Sequence, residues 1–229
     1  MKTRLLFLGL FFFLMFFKIN AQTVGGGLLI GLPHGEFKEN VDNAGFGLNV
    51  HGTLWSPSKA RPFSVGLNLG YMVYGMTTER RPFSETNPDV SVEVSRTNSI
   101  ANFHLLFLIS PFQGTVRPYL EGLFGGAYIS TSTDIKNETT GESIASSTNF
   151  DDLTWSYGAG GGLLIQVGKD MGDVSRLFLD LKARYILGSE AEYLTEDGVE
   201  VRLGKVKYYP VKSKTDLIQI SIGVTAFFN

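Results

Sequence analysis

Cysteine is absent from the 229 residues, and histidine occurs only three times. The first absence removes disulfides and thiolate zinc, so the chain is not a small stapled secreted domain. His34, His51 and His104 have no second ligand type at metal spacing, which argues against a metal centre. An excess of positive charge is missing too, with 20 Lys and Arg against 22 Asp and Glu. A nucleic-acid partner needs a basic stripe to displace counterions from phosphates, so none is expected. Beyond residue 21 no apolar run approaches the roughly 20 residues of a membrane-spanning helix. If that part of the chain crosses a membrane, it can do so only as a closed barrel. The length suits one all-β barrel or sandwich and fits two full domains poorly.

What is present begins with a leader. Lys2 and Arg4 precede a solid apolar run, Leu5 to Phe17, and Ile19-Asn20-Ala21 ends in the small residue a signal peptidase needs. Residues 1–21 therefore read as a signal peptide, cleaved before Gln22, with 22–229 as the barrel domain. Removing Lys2, Arg4 and Lys18 leaves 17 basic against 22 acidic residues, a net charge near −5.

The clearest strand is the last, Asp216 to Asn229. Ile218, Ile220, Ile222, Val224, Ala226 and Phe228 share one parity, while Gln219, Ser221, Gly223 and Thr225 fill the other. That is a strand with two unlike faces. The same alternation recurs over Thr23 to Leu32, Gly45 to Trp55, Phe63 to Tyr74, Ile100 to Ile109, Pro118 to Ile129, Leu153 to Val167 and Arg176 to Leu187. Val90 to Val94 also alternates, so the fourth strand is expected to project beyond any membrane. Eight strands follow, with the first and last expected to pair, because open edges are not tolerated in hydrocarbon.

The connections alternate in length. His34–Asn43, Met76–Asn98, Ser130–Asp152 and Gly188–Thr215 are long and polar, the last with an Asp197-Gly198 hairpin signal. Ser56–Arg61, Ser110–Arg117 and Gly168–Ser175 are short. An eight-stranded antiparallel transmembrane β-barrel has this order, with long extracellular loops and short periplasmic turns. Running the strands alternately up and down places Phe63, Phe107 and Phe228 near the turn end. Tyr71, Tyr128, Trp155, Tyr157 and Tyr185 then fall near the loop end, making two aromatic girdles.

Taken with the N-A-Q leader junction, R-P-Y-L at 117–120, W-S-Y-G-A-G-G-G at 155–162, S-K-T-D at 213–216 and the terminal G-V-T-A-F-F-N, the chain resembles a known family. It is similar in build to the small porin-like outer-membrane β-barrel family of Gram-negative bacteria, the group of the OmpA transmembrane domain and OmpX. The resemblance implies location in the cell outer membrane and insertion by the barrel-assembly machinery, which reads such terminal aromatic strands. It implies no single activity.

Gly158, Gly160, Gly161 and Gly162 suggest a nucleotide loop, but Leu163 breaks both G-x-G-x-x-G and the phosphate-loop pattern ahead of Gly168-Lys169. Small residues on a crowded inner face account for them. A His and a Ser two apart on a strand would suggest a lipid A deacylase, but His51 is followed by Gly52-Thr53 and His104 by Leu105-Leu106. No enzyme, cofactor or metal site is expected. The informative charges are Asp180, Lys182 and Arg184, opposite in parity to Leu177, Leu179 and Leu181, with Glu121 on the inward parity of its own strand. Arg or Lys at mid-depth on the lipid face would cost about 2–4 kcal/mol, so these residues are expected inside, in at least one ion pair. An interior of this width is filled by its own side chains, Leu106, Phe178 and Ile186 among them, so function is expected in the loops. The expected role is structural or surface-binding, toward outer-membrane lipid and lipopolysaccharide or another envelope protein. A small passive pore and a soluble lipocalin-like carrier are the alternatives.

Overall fold

The computed structural model describes residues 22–84, 87–137, 142–195, 198–202 and 205–228. The expected signal peptide, residues 1–21, and Asp197 lie outside them. The barrel strands are β1 (Thr23–Pro33), β2 (Gly45–Thr53), β3 (Phe63–Ser84), β4 (Asn87–Ile109), β5 (Val116–Asn137), β6 (Ser143–Met171), β7 (Val174–Gly188) and β12 (Leu217–Phe228). They close in the order β1-β12-β7-β6-β5-β4-β3-β2, every neighbour antiparallel. The seam joins first strand to last, from Thr23 opposite Phe227 to Pro33 opposite Leu217. No edge is left within the ring.

Parity along each strand decides what meets solvent and what is enclosed. Leu28, Phe46, Leu48, Leu69, Leu120 and Ile222 point outward and are about half exposed or more. Their inward neighbours Leu29, Asn49, Asn68, Glu121 and Ser221 are buried. The distribution is the reverse of a water-soluble barrel: the outside is apolar and much of the inside is polar. From Phe63 to Val73 the outward face of β3 is apolar. At about 3.3 Å per residue and a tilt near 40°, those ten steps span about 25 Å, the height of the apolar band in a transmembrane barrel. A concavity of about 590 Å³ on the outside, over Gly161 and Ala183 among Leu163, Leu181, Ile220 and Ile222, belongs to this band.

The connections differ from the sequence reading in an instructive way. Met76–Asn98 and Ser130–Asp152 are not loops over most of their length. Strand β3 continues to Ser84, β4 starts at Asn87, β5 runs to Asn137 and β6 starts at Ser143. Above the apolar band the outward side chains no longer need to be apolar, so outside Val90 to Val94 the apolar alternation fades from the sequence while backbone pairing continues. The four strands form a blade beyond the ring. The connection 188–215 carries four short strands, β8 (Glu190–Tyr193), β9 (Val199–Arg202), β10 (Lys205–Tyr208) and β11 (Val211–Lys214), with β8 paired to β11 and β9 to β10. Gly198 is not a hairpin tip. It accepts a hydrogen bond from the Tyr209 amide at 2.8 Å, at the base of the β9–β10 pair, in which Val199 lies opposite Tyr208.

The first connection holds a one-turn helix, α1 (Glu36–Asn40), entered through Gly35 at φ 57°, where a side chain would be strained. The helix carries Phe37 into the barrel mouth, where it is completely buried. Its ring meets Tyr74 and Tyr193 edge-on at 5.5 and 5.2 Å.

Glycine matters most where strands crowd. A Cβ on Gly47 would strike the Tyr71 carbonyl oxygen and lie 2.6 Å from the Met72 Cα, whereas one on outward-facing Gly52 would meet only the Thr23 carbonyl at 3.6 Å. Gly47→Val is therefore expected to abolish the heat-modifiable folded band after refolding into detergent, and Gly52→Val to leave it intact. Equal behaviour of the two variants on the gel would contradict this packing.

Candidate functional site

The barrel interior is organised by four charges. β5 supplies Glu121, and β7 supplies Asp180, Lys182 and Arg184 on alternate positions, all buried. Arg184 grips Glu121 with two hydrogen bonds, Nε to Oε1 at 2.6 Å and Nη2 to Oε2 at 3.1 Å, and its Nη1 donates to Asn68 Oδ1 at 3.0 Å. Lys182 Nζ lies 2.8 Å from Asp180 Oδ2. Asp180 also accepts from the Tyr119 hydroxyl at 2.7 Å and from Thr225 Oγ1 at 3.1 Å. The planar fork of Arg suits a bidentate carboxylate, and each charge has an opposite partner. A lone buried ion would carry a penalty of several kcal/mol.

Space for these long side chains comes from the glycine run of β6. A Cβ on Gly160 would come within 2.8 Å of the Arg184 Cγ, and one on Gly162 within 2.6 Å of the Tyr119 ring. Tyr119, Asn68 and Thr225 were not singled out from sequence. Their only sequence signal is inward parity on strands β5, β3 and β12.

Two histidines complete the polar layer. His51 Nε2 lies 3.4 Å from Thr225 Oγ1, and His104 Nε2 lies 3.0 Å from Ser156 Oγ. The second is a His–Ser pair formed across strands, which local spacing could not reveal. Its chemistry is limited: His104 Nδ1 has no hydrogen-bond partner among the described residues, so none of their carboxylates orients the ring, and both side chains are buried.

Apolar layers close the polar layer at both ends. At the turn end Leu108, Tyr119, Leu164, Phe178 and Phe227 cluster, with the Phe178 and Phe227 rings 4.8 Å apart. The Arg117 guanidinium lies over both rings, at 5.0 and 5.6 Å, and its Nε donates to the Gly114 carbonyl at 3.1 Å. Arg117 of the R-P-Y-L motif is thus part of the lower stopper. At the loop end Leu29, Met72, Ile100, Leu106, Ile186 and Leu217 form a larger cluster, topped by Phe37, Tyr74 and Tyr193. Tyr193 shares a hydrogen bond of 2.8 Å with Ser213 Oγ across β8 and β11. Burial pushes the Tyr193 phenol above its ordinary range and keeps it neutral. A cavity beside His51, Asp180 and Tyr119 has a volume of about 10 Å³. That is room for about one water.

The aromatic residues expected as girdles lie as follows. Phe63 and Phe107 are exposed and Phe228 is half-buried near the turn end, while Tyr71, Tyr128, Trp155, Tyr157 and Tyr185 are exposed toward the loop end. Trp55, not among the expected residues, joins the turn end, donating to the Phe63 carbonyl at 2.6 Å beneath the Arg61 guanidinium. Above the upper set two cavities of about 210 and 310 Å³ open on the loop side.

These features define a class: a small eight-stranded transmembrane β-barrel with a packed interior. Among solved structures the chain is similar to Neisserial surface protein A, at 11% identity over 90% of this chain and 96% of that one, with a TM-score of 0.39. It is also similar to Ail, the attachment invasion locus protein of Yersinia pestis, solved with the heparin analogue sucrose octasulfate. That match has 12% identity over 90% of this chain and 97% of the other, with a TM-score of 0.34. No family model and no curated protein matches the chain.

The paired interior makes a specific prediction. Arg184→Met leaves Glu121 buried without a partner and is expected to destabilise the refolded barrel by about 3–5 kcal/mol. The double variant Arg184→Met, Glu121→Leu is expected to recover most of that loss. Urea unfolding in lipid vesicles measures both, and additive losses would mean that the two side chains do not act as a pair.

Proposed function

We propose that the protein is an outer-membrane barrel that binds at its loop end, neither conducting solutes nor catalysing a reaction. The observation that carries this reading is the reversed distribution of polarity, an apolar belt outside and paired charges inside. A lipocalin-like carrier would need an apolar interior with space for cargo, and this interior is filled by ion pairs between two apolar layers. The same filling argues against a pore. The apolar belt suits outer-membrane lipid, and the polar blade above it suits lipopolysaccharide head groups or another envelope protein. Export would follow cleavage of residues 1–21 before Gln22. Strand β12, ending in Phe227 and Phe228, would be the segment read by the barrel-assembly machinery.

Four measurements test this reading. The protein is expected to fractionate with the outer membrane, to start at Gln22 on N-terminal sequencing, and to migrate differently on gels with and without boiling. Recovery in the soluble periplasmic fraction would favour the carrier. Purified protein in planar bilayers is expected to give no large, stable, ohmic steps, and such steps would promote the pore.

A further inference from the structure

The blade carries a constructed polar surface on its inner side. The strand register sets Thr77 opposite Arg96, Arg96 opposite Thr133 and Thr133 opposite Ser147, one continuous row across β3, β4, β5 and β6. This row lines the 310 Å³ cavity, whose wall includes Tyr208. Two residues lower on β4, about 7 Å away, Asn98 lines the 210 Å³ cavity with Asn40, Asp42 and Tyr74.

Two observations separate this surface from an ordinary gap between hairpins. First, the blade's register shifts in four places, and two of these coincide with the cavities. The β3–β4 register skips Tyr74, and the β5–β6 register skips Asn149. Tyr74 lines the lower cavity and Asn149 the upper one. Bulges re-aim side chains and are enriched next to functional sites. Second, the Tyr74 hydroxyl is buried and has no hydrogen-bond partner among the described residues. Burial without a partner is unfavourable for such a group, and this one lines a cavity from which a ligand could satisfy it.

We propose that the two cavities form one cleft for a short, uncharged oligosaccharide. A sugar presents closely spaced hydroxyls that both donate and accept, matching a wall of hydroxyls, amides and one guanidinium. Its CH faces suit Val94, Ile135 and Tyr208 on the upper cavity's wall. The described lining residues hold two acids, Asp42 and Glu79, and one base, Arg96. That balance disfavours sulfated or phosphorylated glycans, which need clustered cations. A metal ion is disfavoured as well, since among the described residues no group of three His, Cys, Asp or Glu side chains is positioned to hold one. The combined volume, about 520 Å³, falls within the roughly 300–1,000 Å³ of small-ligand sites.

The inference rests on the reading that the loop end is the binding end. The full chain, purified and placed in lipid nanodiscs, is first checked for heat-modifiable migration; failure there counts against the barrel reading itself. Folded protein is then titrated with fluorescently labelled maltotriose, chitotriose and a galactose trisaccharide, and with sulfated maltotriose as the anionic probe. Saturable binding of at least one neutral trisaccharide below about 1 mM is expected, tighter than any binding of the sulfated probe. Tyr74→Phe and Thr77→Val are each expected to weaken that binding by about three- to tenfold. Tyr74→Phe should leave thermal stability no lower, and raise it if anything, because the hydroxyl it removes is buried with no partner among the described residues. Absence of neutral binding by folded protein, preference for the sulfated probe, or an affinity unaltered in either variant would overturn the proposal.

Discussion

Everything in this molecule depends on closing the sheet. In hydrocarbon there is no water to satisfy a backbone amide or carbonyl, so a strand edge left open would carry a penalty at each residue. The pairing of β1 with β12 over eleven residues removes that edge. Closure then fixes which parity of every strand faces in, because a slip of one residue would turn the leucines inward and the charges outward. The apolar belt and the charged interior are two consequences of one register.

Closure also creates the packing problem that the interior solves. Eight strands leave a lumen about as wide as its own side chains. Long charged residues are accommodated because β6 presents Gly158, Gly160 and Gly162 to the same space. Arg184 and Lys182 reach Glu121 and Asp180 there, and Tyr119, Thr225 and Asn68 take up further hydrogen-bonding capacity. The network lies between the Arg117–Phe178–Phe227 stopper below and the Phe37–Tyr74–Tyr193 cluster above. A rigid, filled cylinder supports the blade of β3 to β6, and the blade is where the chain can differ from other barrels without disturbing its fold.

Sequence alone determined the eight barrel strands, their inward and outward faces, the closing pair and the inward charges Glu121, Asp180, Lys182 and Arg184. In a two-faced strand each residue's environment is written in its parity, and alternation needs no distant information. Of the blade it determined only the projection of β4, through the alternation of Val90 to Val94; elsewhere polar strands above the lipid lose the apolar period while keeping their hydrogen bonds, so most of Met76–Asn98 and Ser130–Asp152 read as loops. Nor could it assign Phe37, one aromatic in a polar connection, to the barrel mouth, or join His104 to Ser156 and Tyr119 to Asp180, which are 52 and 61 residues apart. Those contacts depend on register between strands. Register is a property of the closed sheet, so only the tertiary structure decided them.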